Sequence, residues 1–121
     1  MKEILVLDDV LDAGIMIKRI LERKGHAVVV FTEEEEALAY LRTQAVEVAI
    51  LDIRLKKMSG ITMLQEVKKI SPQTRVIMLT GYPTIETARQ ARQIGAFDYC
   101  IKPIDKKDLE DKVAKALAAV G

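Results

Sequence analysis

The residues with the clearest chemical potential lie at the ends of short apolar segments. Asp8 and Asp9 follow one such segment, and Asp52 closes another. Thr80 closes a third, and Lys102 follows a fourth. Three carboxylates at one site would repel one another unless a cation lay among them, and carboxylate oxygens suit Mg²⁺, with Mn²⁺ as a substitute. A hydroxyl and an ammonium add donors for a phosphoryl group, and an aspartate in such a setting can act as the nucleophile.

The elements that must position these residues follow from the hydrophobic pattern. Short, nearly continuous apolar runs are typical of parallel strands covered on both faces. They predict strands at 4–7, 27–31, 46–51, 75–79 and 97–101. The amphipathic stretches between them predict helices at about 11–24, 33–43, 59–70, 84–94 and 105–119. Alternating strands and helices predict one domain over 1–121, a doubly wound α/β fold with a parallel sheet.

The fold class also predicts where the candidate residues meet. In open parallel sheets, ligands bind at the carboxyl ends of the strands, where the strand order reverses. Four of the five predicted strands end in a candidate group, whereas the second ends in Phe31 and Thr32. The sequence therefore predicts one pocket that collects the acids, the hydroxyl and the lysine.

Each candidate also has a plainer structural interpretation. Asp8 and Asp9 could cap a helix, Thr80 could be a turn residue and Lys102 a surface lysine. Two adjacent acids that close a buried strand exceed what one cap requires, and the position of Lys102 opposite three acids favours the pocket.

Local signals around the second predicted helix give two further predictions. Thr32, followed by the acidic run Glu33 to Glu36, predicts a capping box at the start of this helix. The acidic run itself predicts a solvated helix face.

Composition excludes several classes of function. Nineteen basic and eighteen acidic residues give a net charge of +1, which offers no argument for direct binding to nucleic acid. One cysteine and one histidine exclude an internal disulfide and the usual zinc sites. The apolar stretch before Asp8 is too short for a signal peptide or a membrane span, so we expect a cytoplasmic protein without membrane contact.

The motifs, taken in order, resemble the receiver domain of two-component response regulators, of which chemotaxis regulators are one form. The resemblance covers the whole chain. The motifs that carry it are Leu5-Val6-Leu7-Asp8-Asp9, Ile50-Leu51-Asp52-Ile53-Arg54-Leu55 leading to Met58-Ser59-Gly60, Met78-Leu79-Thr80-Gly81-Tyr82, and Gly95-Ala96-Phe97-Asp98-Tyr99-Cys100-Ile101-Lys102-Pro103. It implies a flavodoxin-like fold with five helices and strand order 2-1-3-4-5.

The resemblance implies a role for each acidic residue. Asp52 would accept a phosphoryl group from a histidine kinase or a phosphotransfer protein and lose it slowly by self-dephosphorylation. Asp9 would bind Mg²⁺ directly, Asp8 directly or through water, and the backbone carbonyl of Arg54 would be a further ligand. The domain would catalyse only its own modification and would not be a multiple-turnover enzyme.

The resemblance also implies a switch. Lys102 would pair with the phosphoryl oxygens, Thr80 would move its hydroxyl onto one of them, and Tyr99 would move inward behind Thr80. The bond before Pro103 would be cis. The face formed by the fourth helix, fifth strand and fifth helix would then control an output domain or a partner, or form a homodimer on phosphorylation.

One departure and two alternatives remain beside this interpretation. Lys56 and Lys57 stand where receivers usually carry a proline and then a glycine. Thr80-Gly81-Tyr82 is most similar to receivers of enhancer-binding transcription activators, which suggests a role in transcription regulation. The alternatives are a Mg²⁺-dependent phosphohydrolase and a scaffold that is not phosphorylated.

Overall fold

The computed structural model describes residues 3–53, 59–81 and 84–119, in which five strands alternate with five helices. The elements in chain order are β1 (Glu3–Leu7), α1 (Leu11–Glu22), β2 (Ala27–Phe31), α2 (Glu34–Thr43), β3 (Val48–Asp52), α3 (Gly60–Ile70), β4 (Arg75–Thr80), α4 (Ile85–Ile94), β5 (Asp98–Ile101) and α5 (Lys106–Ala119). All strand pairs are parallel, in the order β2-β1-β3-β4-β5. The predicted fold class and strand order are confirmed. No helix in these ranges is both long and apolar enough to cross a bilayer.

The sheet lies between two apolar layers. Ile4 and Val6 of β1 face a cluster that includes residues of α1 and α5. Leu5 and Leu7 face the opposite cluster, to which α2, α3 and α4 contribute. Because successive strand residues point to opposite faces and both faces are covered, every position favours an apolar residue. This explains why the strands appear in the sequence as continuous apolar runs.

The start of β3 differs from the prediction. The strand begins at Val48, although the apolar run begins at Val46. Val46 is buried, and its carbonyl accepts a hydrogen bond of 2.9 Å from the hydroxyl of Thr74. A side chain therefore satisfies this carbonyl in place of the ladder, so the burial of Val46 was predictable from its apolarity but its backbone pairing was not.

The predictions for the start of α2 were wrong in two respects. The N-cap is Glu33, whose side chain makes no capping hydrogen bond, so Thr32 does not begin a capping box. Glu34 is fully buried, with an exposed fraction of 0 %, whereas Glu35 and Glu36 are exposed. The helix turns one face to the core at positions 34, 37, 38 and 41. Glu34 occupies the first position of this i, i+3, i+4, i+7 stripe, which is why it is not solvated.

Gly60 allows α3 to begin directly against the end of β3. Its N–H donates a 2.8 Å hydrogen bond to the carbonyl of Ile53, and the hydroxyl of Ser59 caps the helix by accepting from the N–H of Thr62. A Cβ at Gly60 would collide with the Cα of Ile53 and lie 2.7 Å from the carbonyl oxygen of Asp52. Only glycine permits this approach without a backbone shift.

We expect Gly60→Ala to lower the free energy of unfolding by about 1–3 kcal/mol, because the added methyl group must displace the backbone at Asp52 and Ile53. Gly81→Ala is the matched control, since a Cβ at Gly81 meets nothing within 4 Å. Urea denaturation of both variants measures the difference. Equal stability of the two variants would contradict the steric explanation.

Candidate functional site

The register of the sheet brings the candidate residues to one edge. Leu7 pairs with Leu51. Thr80 pairs with Ile101. Asp8 and Lys102 each follow one of these paired positions, so they lie at the same carboxyl edge as Asp52 and Thr80. The acids lie at the ends of the adjacent strands β1 and β3, the hydroxyl closes the interior strand β4, and the ammonium follows the edge strand β5.

Lys102 joins two of the acids. Its Nζ atom lies 3.0 Å from Oδ2 of Asp52 and 3.3 Å from Oδ2 of Asp8. Its backbone N–H donates to the carbonyl of Thr80 at 2.7 Å, which fixes the start of the segment after β5. The Lys102–Pro103 peptide bond is cis. The lysine is therefore part of the pocket and not a free surface residue.

Burial shapes the electrostatics of this group. Asp8 is 0 % exposed and Asp52 is 5 % exposed. Burial raises the pKa of Asp8 above its ordinary value, and the charge of Asp52 adds to this. The backbone N–H of Val10, which donates to Oδ1 of Asp8 at 2.9 Å, and the ammonium of Lys102 lower the same pKa without cancelling the rise. Burial is the largest cause of this rise, so the ionised form of Asp8 is destabilised at this position.

The pKa of Lys102 responds to the same acids. Burial lowers it, but the hydrogen bond and the charge of Asp52, together with those of Asp8, outweigh burial and raise the pKa above its ordinary value. The ammonium form is thus the stable state of Lys102 beside these carboxylates.

The three acids suit a hard divalent cation. One carboxylate oxygen from each of Asp8, Asp9 and Asp52 lies within 4.8 Å of the others. The donors are all oxygen, two of the three residues are buried, and one ammonium leaves an excess of negative charge. Oxygen donors and uncompensated negative charge are what Mg²⁺ and Mn²⁺ require.

Thr80 and Tyr99 meet at a cavity beneath α4. Thr80 is the last residue of β4 and is 6 % exposed. The cavity is lined by Ile53, Met78, Thr80, Thr84, Thr87, Ala88, Ala91 and Tyr99. Tyr99 also lines an open groove on α4 that includes Arg89 and Arg92. The tyrosine ring thus lies between the interior beside Thr80 and the outer surface.

Some predicted residues lie outside the described ranges, and one contact was missed. Arg54, Lys56, Lys57 and Tyr82 belong to the part of the chain that the structure does not describe. The sequence did not indicate that Lys112 of α5 contacts Tyr99, although an Asp108–Lys112 spacing of four residues marks an ion pair on a helix.

Comparison with known proteins decides the family. A family model described as "Response regulator receiver domain" matches residues 4–114. The chain belongs to this family. Receiver domains are the phosphorylated signalling modules of two-component systems, so this assignment favours a receiver over the phosphohydrolase alternative.

Two curated relatives are regulators by name. Transcriptional regulatory protein ZraR of Escherichia coli is 35 % identical over 116 residues, which are 96 % of this chain and 26 % of ZraR. Acid tolerance regulatory protein ActR of Rhizobium meliloti is 34 % identical over 110 residues, which are 89 % of this chain and 56 % of ActR. The chain thus spans from about a quarter to about half of the length of these relatives. The word "transcriptional" in the first name agrees with the predicted similarity to receivers of transcription activators.

Two solved receiver structures match almost end to end. The receiver domain of NtrX from Brucella abortus is 34 % identical, with a TM-score of 0.90 over 96 % of this chain and 98 % of that one. A CheY-like receiver domain protein from Methanospirillum hungatei is 32 % identical, with a TM-score of 0.92 over 98 % of this chain and 94 % of that one. The agreement extends over all five strand–helix units.

We expect Asp8→Asn to raise the free energy of unfolding by about 0.5–2 kcal/mol in metal-free buffer at neutral pH. The pKa of Asp8 is raised in the folded state, so ionisation of Asp8 lowers the free energy of unfolding. This loss of stability is complete above the folded-state pKa, and the stability is recovered as the pH falls through that pKa. Asp12→Asn is the control, because Asp12 is an exposed acid in the first turn of α1. Urea denaturation with a chelator present measures both. A loss of stability in Asp8→Asn would contradict the conclusion that burial of the ionised Asp8 carboxylate destabilises the fold.

Proposed function

We propose that Asp52 accepts a phosphoryl group from the phosphohistidine of a sensor histidine kinase or a phosphotransfer protein. The observation that carries this proposal is the position of the Asp52 carboxylate. It lies 3.0 Å from the ammonium of Lys102, and one of its oxygens lies within 4.8 Å of oxygens of Asp8 and Asp9. Its burial at the carboxyl edge of the sheet favours a pocket closed to most of the solvent, in which charge is stabilised by fixed groups.

The chemistry follows from these neighbours. A carboxylate oxygen of Asp52 attacks phosphorus, the bond from phosphorus to the donor's imidazole nitrogen breaks, and the electron pair stays with the imidazole. Lys102 holds the equatorial phosphoryl oxygens as their charge develops. Bound Mg²⁺ would supply further neutralisation of that charge. Asp9 and Asp8 would hold the metal with Asp52, and the backbone carbonyl of Arg54 is a further ligand implied by the family.

The same contacts explain how the modification can act as a switch. In the unmodified protein, Lys102 is shared between Asp52 and Asp8. A phosphoryl group brings roughly two negative charges and three acceptor oxygens, which compete for Lys102 and attract the hydroxyl of Thr80. Tyr99 lines the same cavity as Thr80, so movement of the hydroxyl changes the space available to the ring. Slow attack of water on the same phosphorus ends the signal.

The surface that would report the change lies next to Tyr99. Tyr99 of β5 lines the groove on α4, and Lys112 of α5 contacts Tyr99. We propose that this α4–β5–α5 face controls an output domain or a protein target in the cytoplasm, or forms a homodimer on phosphorylation. An output in transcription is supported by the relatives that are named as transcriptional regulators.

Incubation with acetyl phosphate and Mg²⁺ should add one phosphoryl group that hydroxylamine removes. The adduct should be absent from Asp52→Asn and present in Asp12→Asn, which makes the same charge change at an exposed site. Intact-protein mass spectrometry measures the adduct. Its absence from the wild type would instead support a scaffold that is not phosphorylated.

Mg²⁺ should raise the thermal midpoint of the wild type, because a ligand that binds only the folded state stabilises it. Asp9→Asn removes one carboxylate from the three that converge and should weaken Mg²⁺ affinity by more than about tenfold. Titration calorimetry with Mg²⁺ tests this, again with Asp12→Asn as the control. Unchanged affinity in Asp9→Asn would show that Asp9 is not a ligand.

A further inference from the structure

Lys112 reaches from α5 to the outer edge of β5 and contacts Tyr99 twice. Its Nζ atom donates a hydrogen bond of 2.6 Å to the backbone carbonyl of Tyr99 and lies 5.6 Å from the centre of the Tyr99 ring. The same atom lies 3.1 Å from Oδ2 of Asp108. The side chain is 22 % exposed. The ammonium is therefore fixed in place by two oxygen atoms beside the face of an aromatic ring.

The two residues approach β5 from opposite layers of the domain. Tyr99 packs against the apolar cluster on the side of α2, α3 and α4. The buried residues of α5 belong to the other cluster. Lys112 thus passes around the edge strand to meet the ring. The cavity that Tyr99 shares with Thr80 lies beneath α4, on the far side from α5. A ring that moves inward, toward Thr80, moves away from the ammonium of Lys112.

The ammonium and the ring attract each other in the arrangement seen here. A cation within about 6 Å of an aromatic centroid interacts favourably with the ring quadrupole. The hydrogen bond to the backbone of Tyr99 and the ion pair to Asp108 hold the ammonium where it is, so it cannot follow the ring inward. The attraction therefore stabilises only the outward position of the Tyr99 ring, in which the ring lies beside the ammonium.

We propose that Lys112 is a positioning residue that holds the Tyr99 ring at the edge of the sheet and thereby sets the threshold of the switch. This inference rests on the proposed function, in which the ring moves inward when Asp52 is phosphorylated. A contact that stabilises the resting state weakens the binding of any ligand that requires the other state, by the same factor. Loss of one cation–ring contact corresponds to about a 2- to 5-fold change in that binding.

The test measures the affinity for beryllium fluoride, a phosphoryl mimic, in the presence of Mg²⁺. Lys112→Met should bind the mimic about 2- to 5-fold more tightly than the wild type. Lys112→Arg, which keeps a cation beside the ring, should restore affinity to near the wild-type value. Lys112→Gln serves as a second neutral variant that can still donate to the carbonyl of Tyr99, in case Lys112→Met does not fold.

Lys107→Met is the matched control. Lys107 is also on α5 and pairs at i, i+4 with Asp111, but its side chain is 82 % exposed. Removal of a positive charge alone weakens the binding of an anion, so the control should bind the mimic equally or slightly less tightly. Weaker binding in Lys112→Met would show that only its charge matters and would overturn the inference.

A double-mutant cycle with Tyr99→Leu separates positioning of the ring from a general structural effect. In the Tyr99→Leu background, Lys112→Met should leave the affinity unchanged, because no ring remains to be held. An effect of the same size in both backgrounds would overturn the inference. If the wild type and both neutral Lys112 variants bind the mimic with equal affinity, the role of Lys112 is overturned and the proposed function is unaffected. If the wild type does not bind the mimic at all, both the proposed function and the role of Lys112 are overturned.

Discussion

The ammonium of Lys102, shared by two buried carboxylates, is the interaction on which the arrangement of this site depends. Lys102 follows β5, which is not adjacent to β3 or to β1. Asp52 closes β3 and Asp8 follows β1. The side chain must pass over the end of β4 to contact both acids. This is possible only because β1, β3, β4 and β5 end at nearly the same level. A shift of one residue in any pairing would direct one of these side chains to the other face of the sheet.

The same group of charges sets a conflict between stability and function. An acid that is fully buried beside two others destabilises the fold when it is ionised, as the raised pKa of Asp8 indicates. The apolar layers on both faces of the sheet must offset this cost. Three carboxylates beside one ammonium favour the binding of a divalent cation, which would offset the repulsion between this pocket and an anionic phosphoryl donor.

The sequence predicted the buried strands of the sheet better than the start of helix α2 and the side-chain contacts at the edge of the sheet. The strands were predictable because both faces of the sheet are buried. Nearly every strand residue is then apolar, so a continuous apolar run locates the strand even when the face of each residue is unknown. The strand ends located Asp8, Asp52 and Lys102, since parallel strands place their carboxyl ends at one edge. Helix α2 shows where this reasoning fails. Four consecutive glutamates conceal the phase of the helix, and only packing decides that Glu34 faces inward while its neighbours remain exposed. The contact of Lys112 with Tyr99 could not be predicted from the sequence either, because it depends on how a long side chain passes around an edge strand.

The hydrogen bond between Gly60 and Ile53 has a consequence for how receivers of this kind can diversify. It joins the backbone on the two sides of residues 54–58, so the anchor points of that stretch are set by the sheet and by α3. Exchange of the intervening residues would leave the scaffold under Asp52 in place. The side chains between these two anchors, such as those of Lys56 and Lys57, can therefore be exchanged without a new backbone path for β3 or α3, whereas the backbone carbonyl proposed as a metal ligand at Arg54 must keep its position.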